Sequence, residues 1–132
     1  INPLYQKTKV ITSGTDLSFV NSYLPMFFGE NNEHAYTLKI DINEKKTKRS
    51  VETNQATSNL RYELRFYYTL TYIKKDCITY EKEIVSYFSI IPKSSGYNYG
   101  TDTSLEKKYE LVVENNLNQF VSILSDINID SC

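Results

Sequence analysis

From Leu60 to Tyr72 every even-numbered position is apolar or aromatic: Leu60, Tyr62, Leu64, Phe66, Tyr68, Leu70 and Tyr72. The odd positions carry Arg61, Glu63, Arg65, Tyr67, Thr69 and Thr71. A period of two predicts a half-buried β-strand with one core face and one polar face. Its length is unusual, because thirteen residues reach about 43 Å at about 3.3 Å each. A compact chain of this size has a radius of gyration of only about 14 Å. The strand is therefore expected to project past the core or to be broken by a bulge.

The same alternation runs through "AYTLKIDIN" (35–43), with Tyr36, Leu38, Ile40 and Ile42 on one face. It returns in "CITYEKEIVSYFSII" (77–91), where Ile78, Tyr80, Ile84, Phe88 and Ile90 share a face interrupted by Lys82 and Ser86. Pro92 ends that run, and "IKKDC" between the second and third runs is short enough for an antiparallel hairpin. The polar segment 43–59 reads as a long loop, either functional or partly extended. "KTKVIT" (7–12) reads as a short strand. Asp16 is placed to cap a short helix with Leu17, Val20 and Leu24 on one side and Pro25 as its end. From Leu105 to Ile127 the apolar residues switch to helical spacing, and Thr103 with Glu106 has the form of a capping box. The sum is one α+β domain over 1–132, with residues 1–35 the least determined. It is a two-layer sandwich in which a mainly antiparallel four-stranded sheet carries the long C-terminal helix, and the short N-terminal one, on one face.

Composition adds an aromatic bias, with twelve Tyr and six Phe but no Trp, which suits strands. The net charge of −1 conceals a division. Residues 43–75 hold eight basic and three acidic side chains, whereas 76–132 hold four basic and nine acidic. A basic middle and an acidic end can steer an anionic partner to one side. Cys77 and Cys132 either pair in an oxidising compartment or remain two separate thiols, and their spacing does not decide between these.

Catalytic chemistry is absent from the pattern. The single histidine, His34, lies in a polar loop, and one His with two distant Cys does not make an ordinary zinc site. Glu81 and Glu83 share an exposed strand face, and "GYNYG" (96–100) lacks the lysine and spacing of a phosphate loop. A non-enzymatic binding protein without metal or cofactor is expected. Lys45, Lys46, Lys48 and Arg49 cluster beside a strand whose outer face bears Arg61 and Arg65, a set suited to phosphate or sulfate. The sequence pI near 5.9 and the acidic end speak against a dedicated nucleic-acid binder. A small phosphorylated ligand such as a lipid head group fits the restricted patch better.

Four segments resemble the LptE-type lipopolysaccharide-assembly lipoproteins of Gram-negative outer membranes. "INPLYQ" is similar to the segment after the lipidated cysteine, and "YTLKIDI" to the second strand of that family. "ATSNLRYELRFYYTLTY" is similar to its long strand, and "YFSIIPKSSGYNYGTDTSLEKKYELVVENNLNQFVSIL" to its closing loop and helix. Residues 14–28 leave room for a first helix of little more than two turns, shorter than the family's. The resemblance implies a lipid anchor upstream of Ile1, a periplasm-facing position at the outer membrane, a β-barrel partner of the LptD type, and contact with lipopolysaccharide. Lys45, Lys46, Lys48, Arg49, Arg61 and Arg65 would then meet lipid A phosphates, with Tyr67, Tyr97 and Tyr99 at the partner interface. The alternative from the residues alone is a stand-alone secreted or periplasmic module, cystatin-like in its helix-on-sheet form, with a protein ligand.

Overall fold

The computed structural model describes residues 2–15, 20–30, 34–50, 58–90, 99–130 and 132, with side chains omitted at 48–50, 58–59 and 99–104. In chain order the elements are β1 (Thr8–Gly14), α1 (Val20–Phe28), β2 (Tyr36–Ser50), β3 (Ser58–Tyr72), β4 (Cys77–Ile90) and α2 (Tyr99–Leu124). The strands form one sheet in the order β1-β2-β3-β4. The β2–β3 and β3–β4 pairs are antiparallel, but β1 lies parallel to β2, so the sheet is mixed. A parallel pair needs a crossover connection, and the segment containing α1 makes it. The α+β class and the helix-covered face agree with the alternation pattern.

β3 is the axis of the fold. Its even positions Leu64, Phe66, Tyr68 and Leu70 are fully buried, with Leu38 and Ile40 of β2 beside them. Val113, Leu117, Phe120 and Leu124 of α2 close the same core from above. The Phe120 and Tyr68 rings stack with centroids 4.0 Å apart and planes within 5°. Leu4, outside any strand or helix, is also fully buried.

Four expectations change. The stretch 43–50 belongs to β2 and not to a loop: its register against β3 runs unbroken from Tyr36↔Tyr72 to Ser50↔Ser58. Polar residues hold strand geometry there because β3 supplies a full ladder of backbone partners. The bulge falls on β4 and not on β3. Leu70 pairs with Tyr80 while Thr71 pairs with Ile78, leaving Thr79 as the extra residue. One inserted residue reverses the faces, so Ile78 points to the outer side and is 50% exposed. Pro25 sits inside α1, which continues to Phe28 and ends where the Gly29 amide donates to the Pro25 carbonyl at 2.8 Å. Finally, α2 begins at Tyr99, which places Thr103 inside the helix and removes it as a cap.

At the other end of α2 the chain turns back over the core. Ile129 is 8% exposed, the Tyr36 hydroxyl donates to Asp130, and Cys132 forms a disulfide with Cys77 at the start of β4. Of the two outcomes left open for these cysteines, pairing is the one observed.

Gly14 ends β1 with φ +94°, and a Cβ there would lie 2.1 Å from the Ile42 carbonyl oxygen. Both the left-handed backbone and the close approach of β2 require glycine. Gly14→Ala is expected to cost about 2 kcal/mol or more, measured as a fall in the urea midpoint at constant slope.

Candidate functional site: the open face of the sheet

The helices cover one face of the sheet, and the odd-numbered positions of β2 and β3 form the other. In register, Lys45 lies opposite Glu63, which lies opposite Tyr87. Asn43, Arg65 and Val85 form the next row, and Asp41, Tyr67 and Glu83 the one after it. β1 extends this last row, where the Ser13 hydroxyl donates to Asp41 Oδ1 at 2.9 Å.

The basic residues expected to form one patch are divided by the pleat. Lys45, Arg61 and Arg65 occupy outer-face positions, whereas Lys46 pairs with Tyr62 on the helix side. The Lys46 ammonium there lies 5.6 Å from the Tyr62 ring centroid. Lys48 and Arg49 take β2 positions opposite Leu60 and Asn59, and their side chains lie outside the described residues. Tyr97 and the Tyr99 side chain also lie outside them.

Lys45, Arg61 and Arg65 differ in how free they are. Arg65 is held between two carboxylates, Nε to Glu63 Oε2 at 2.7 Å and an NH1 contact to Glu83 Oε1 at 3.2 Å. The Glu63 hydrogen bond, followed by its charge, raises the guanidinium above its ordinary value. Such exposed pairs add little to stability, but they mask the Arg65 charge from an incoming anion. The Arg61 guanidinium packs 4.7 Å from the Tyr87 ring centroid and makes no ion pair among the described residues. Lys45 is exposed at the neighbouring row. Of these three, Lys45 and Arg61 are thus better placed than Arg65 to receive an anion. The Tyr67 hydroxyl donates to Glu81 Oε2 at 2.7 Å, and that hydrogen bond raises its pKa above the ordinary phenol value.

Beneath the other face lies a polar cluster that the periodicity did not single out. Asn116 is fully buried on α2. The Tyr68 hydroxyl donates to its Oδ1 at 2.6 Å, and its amide donates to the Ile84 carbonyl at 3.1 Å and the Ser86 hydroxyl at 2.8 Å. Ser86, an interruption in the apolar pattern of β4, is the partner this asparagine needs. Further along the α2 face, Tyr109 packs edge-on against Tyr62 and Phe88 and donates its hydroxyl to Glu44.

Burial is the first cause raising the ionisation of Tyr36, Tyr68 and Tyr109 above the ordinary 10.0; Asp130 and Glu44 add to it at Tyr36 and Tyr109. A phenol whose folded value is raised stabilises the fold fully below the unfolded value and loses that contribution as pH climbs through the folded one. The urea midpoint is expected to hold to about pH 9 and to fall above about pH 10. Tyr68→Phe should flatten the fall.

His34 is exposed and borders a shallow cleft of about 370 Å³ with Lys7, Tyr36, Tyr72 and Asp130. Among the described residues no group of three or more His, Cys, Asp or Glu side chains is placed to hold a metal ion, and no helix is long and apolar enough to cross a membrane.

No protein-family model matches this chain, and no curated protein matches its sequence. Solved structures do. A minor lipoprotein from Acinetobacter baumannii superposes with a TM-score of 0.58 at 13% identity, covering 91% of both chains. A lipoprotein from Caulobacter crescentus gives 0.57 at 11% identity, covering 89% of this chain and 88% of its own. Rare lipoprotein B from Shewanella oneidensis gives 0.45 at 15% identity, covering 91% and 92%. At 11–13% identity, what the first two share with this chain is the fold. The protein is a two-layer α+β chain with one sheet face under helices and the other open. Its architecture is the one those two lipoproteins have, over nearly their whole length.

Proposed function

We propose that the chain is a non-enzymatic component of lipopolysaccharide assembly. It is lipid-anchored at the periplasmic face of the outer membrane, assists and plugs a β-barrel of the LptD type, and contacts lipopolysaccharide. The observation that carries the lipoprotein part is the likeness to the Acinetobacter minor lipoprotein across 91% of both chains. The finer reading rests on the four segments that resemble LptE-type proteins. It is supported by Lys45 and Arg61 sharing one open sheet face. The extended β2–β3–β4 ribbon gives that face its reach: β3 alone has fifteen residues, about 50 Å of extended chain.

Anionic head groups attract each basic side chain near a surface by about 1 kcal/mol. Lys45→Ala with Arg61→Ala is therefore expected to weaken binding to lipopolysaccharide-containing vesicles about 30-fold. Retention on phosphatidylethanolamine vesicles should not change. Equal binding by the variant and the parent would remove these two residues from the ligand site. A parent that does not bind lipopolysaccharide and stays a stable free monomer would favour the stand-alone module.

A further inference from the structure

The open face is electrically divided across its strands. On the β1–β2 side it presents Lys9, Lys39 and Lys45, all exposed, against the half-buried Asp41. On β4 it presents Glu81 and Glu83, both exposed, and no cation. Lys9 and Lys39 form no ion pair among the described residues. Exposed apolar side chains are spread over the same face: Ile11 on β1 is 42% exposed, Tyr67 on β3 40%, and Ile78 and Tyr87 on β4 50% each.

We propose that this face is self-complementary and joins two copies of the chain, sheet to sheet, about a two-fold axis parallel to the strands. That operator lays the β1–β2 side of one copy over β4 of the other. That axis keeps each residue in its row, so Glu81 of one copy lies over Ile11 of the other, beside Lys9 and Lys39, and Glu83 lies one row further along, over Ser13. Each contact occurs twice, once from each copy, as an isologous interface requires. The alternative axis, across the strands, would set lysines on lysines and glutamates on glutamates, which like-charge repulsion opposes. Stacked sheets lie about 10 Å apart, a gap that the exposed Tyr67, Tyr87, Ile11 and Ile78 side chains can fill. Strands β2, β3 and β4, about 4.8 Å apart, over the eleven residues from Thr37 to Thr47, with β1 beside the first six of them, present roughly 600 Å² per copy. A standard stable interface buries about 800 Å² per partner.

This association goes beyond the lipopolysaccharide reading and does not rest on it. A barrel or a lipid surface that takes Lys45 and Arg61 would compete with the second copy for the same face.

The test is a charge swap read by analytical ultracentrifugation at low salt. The parent chain is expected to be dimeric at tens of micromolar, weakening as salt rises. Lys9→Glu with Lys39→Glu, and separately Glu81→Lys with Glu83→Lys, should each weaken dimerisation at least tenfold. An equimolar mixture of the two variants should recover a dimer, because each then offers the sign the other lacks. Circular dichroism of each variant checks that these exposed substitutions leave the fold intact. A parent chain that stays monomeric overturns the proposal. So does a dimer that survives both variants, or a mixture that stays monomeric. Vesicle binding is measured on the parent chain from the same preparation: a monomer that binds lipopolysaccharide overturns the dimer alone, and a dimer that does not bind it overturns the lipopolysaccharide reading alone.

Discussion

Asn116→Leu is expected to destabilise the protein by about 2–4 kcal/mol, although leucine is close to asparagine in size and the site is fully buried. The loss comes from what remains. The Tyr68 hydroxyl, the Ile84 carbonyl and the Ser86 hydroxyl each lose their contact with the Asn116 amide. Buried polar groups without a partner cost far more than the net worth of the bonds they made. Tyr68→Phe alone removes one donor and frees one acceptor, and should cost about 1–2 kcal/mol. The two changes together should cost less than their sum, since the second removes a group the first has stranded. Urea unfolding of the parent, both single variants and the double variant measures the coupling. Simple additivity would mean that Asn116 and Tyr68 do not act as a pair.

Reduction of the Cys77–Cys132 disulfide is the second large effect. The bridge spans a sequence separation of 55, and the chain-entropy model assigns a loop of that size about 4 kcal/mol. A loss of about 2–4 kcal/mol is expected on reduction, and the same for Cys132→Ser without reductant. The tail should show it locally as well. Ile129 is buried and Asp130 accepts the Tyr36 hydroxyl while the bridge holds, so hydrogen exchange at 127–130 should accelerate first. A chain with unchanged stability after complete reduction would show that side-chain packing alone holds the tail.

Both effects lie where the alternation pattern was least informative. The even faces of β2 and β3 were legible because the buried positions are apolar and the outer ones, Tyr67 apart, are polar or charged. Asn116 was hidden because a polar residue on a helix reads as solvent-facing unless its partners are known, and those sit 30 to 48 residues away. The extension of β2 through Lys45 and Lys46 was hidden for a related reason. Its strand geometry comes from pairing with β3, while its own residues are polar on both sides. Ile78 was assigned to the core because period two carries through Thr79 in sequence but not in space. Pro25 and Thr103 were read as boundaries from local chemistry that the neighbouring turns override. The basic set was named as one patch because sequence proximity ignores the pleat: Lys45 and Lys46 are adjacent in the chain and on opposite faces of the sheet. The parallel placement of β1 depends on the crossover, and no local signal encodes it.

The central claim is a partnership with an outer-membrane barrel and its lipid cargo. Its most direct test is mild-detergent purification of the full-length native protein from outer membranes, with the co-purifying proteins and lipids identified by mass. The account predicts a stoichiometric complex with one large β-barrel of the LptD type, carrying lipopolysaccharide. Recovery of the protein free of any barrel, with no lipopolysaccharide bound, would contradict it.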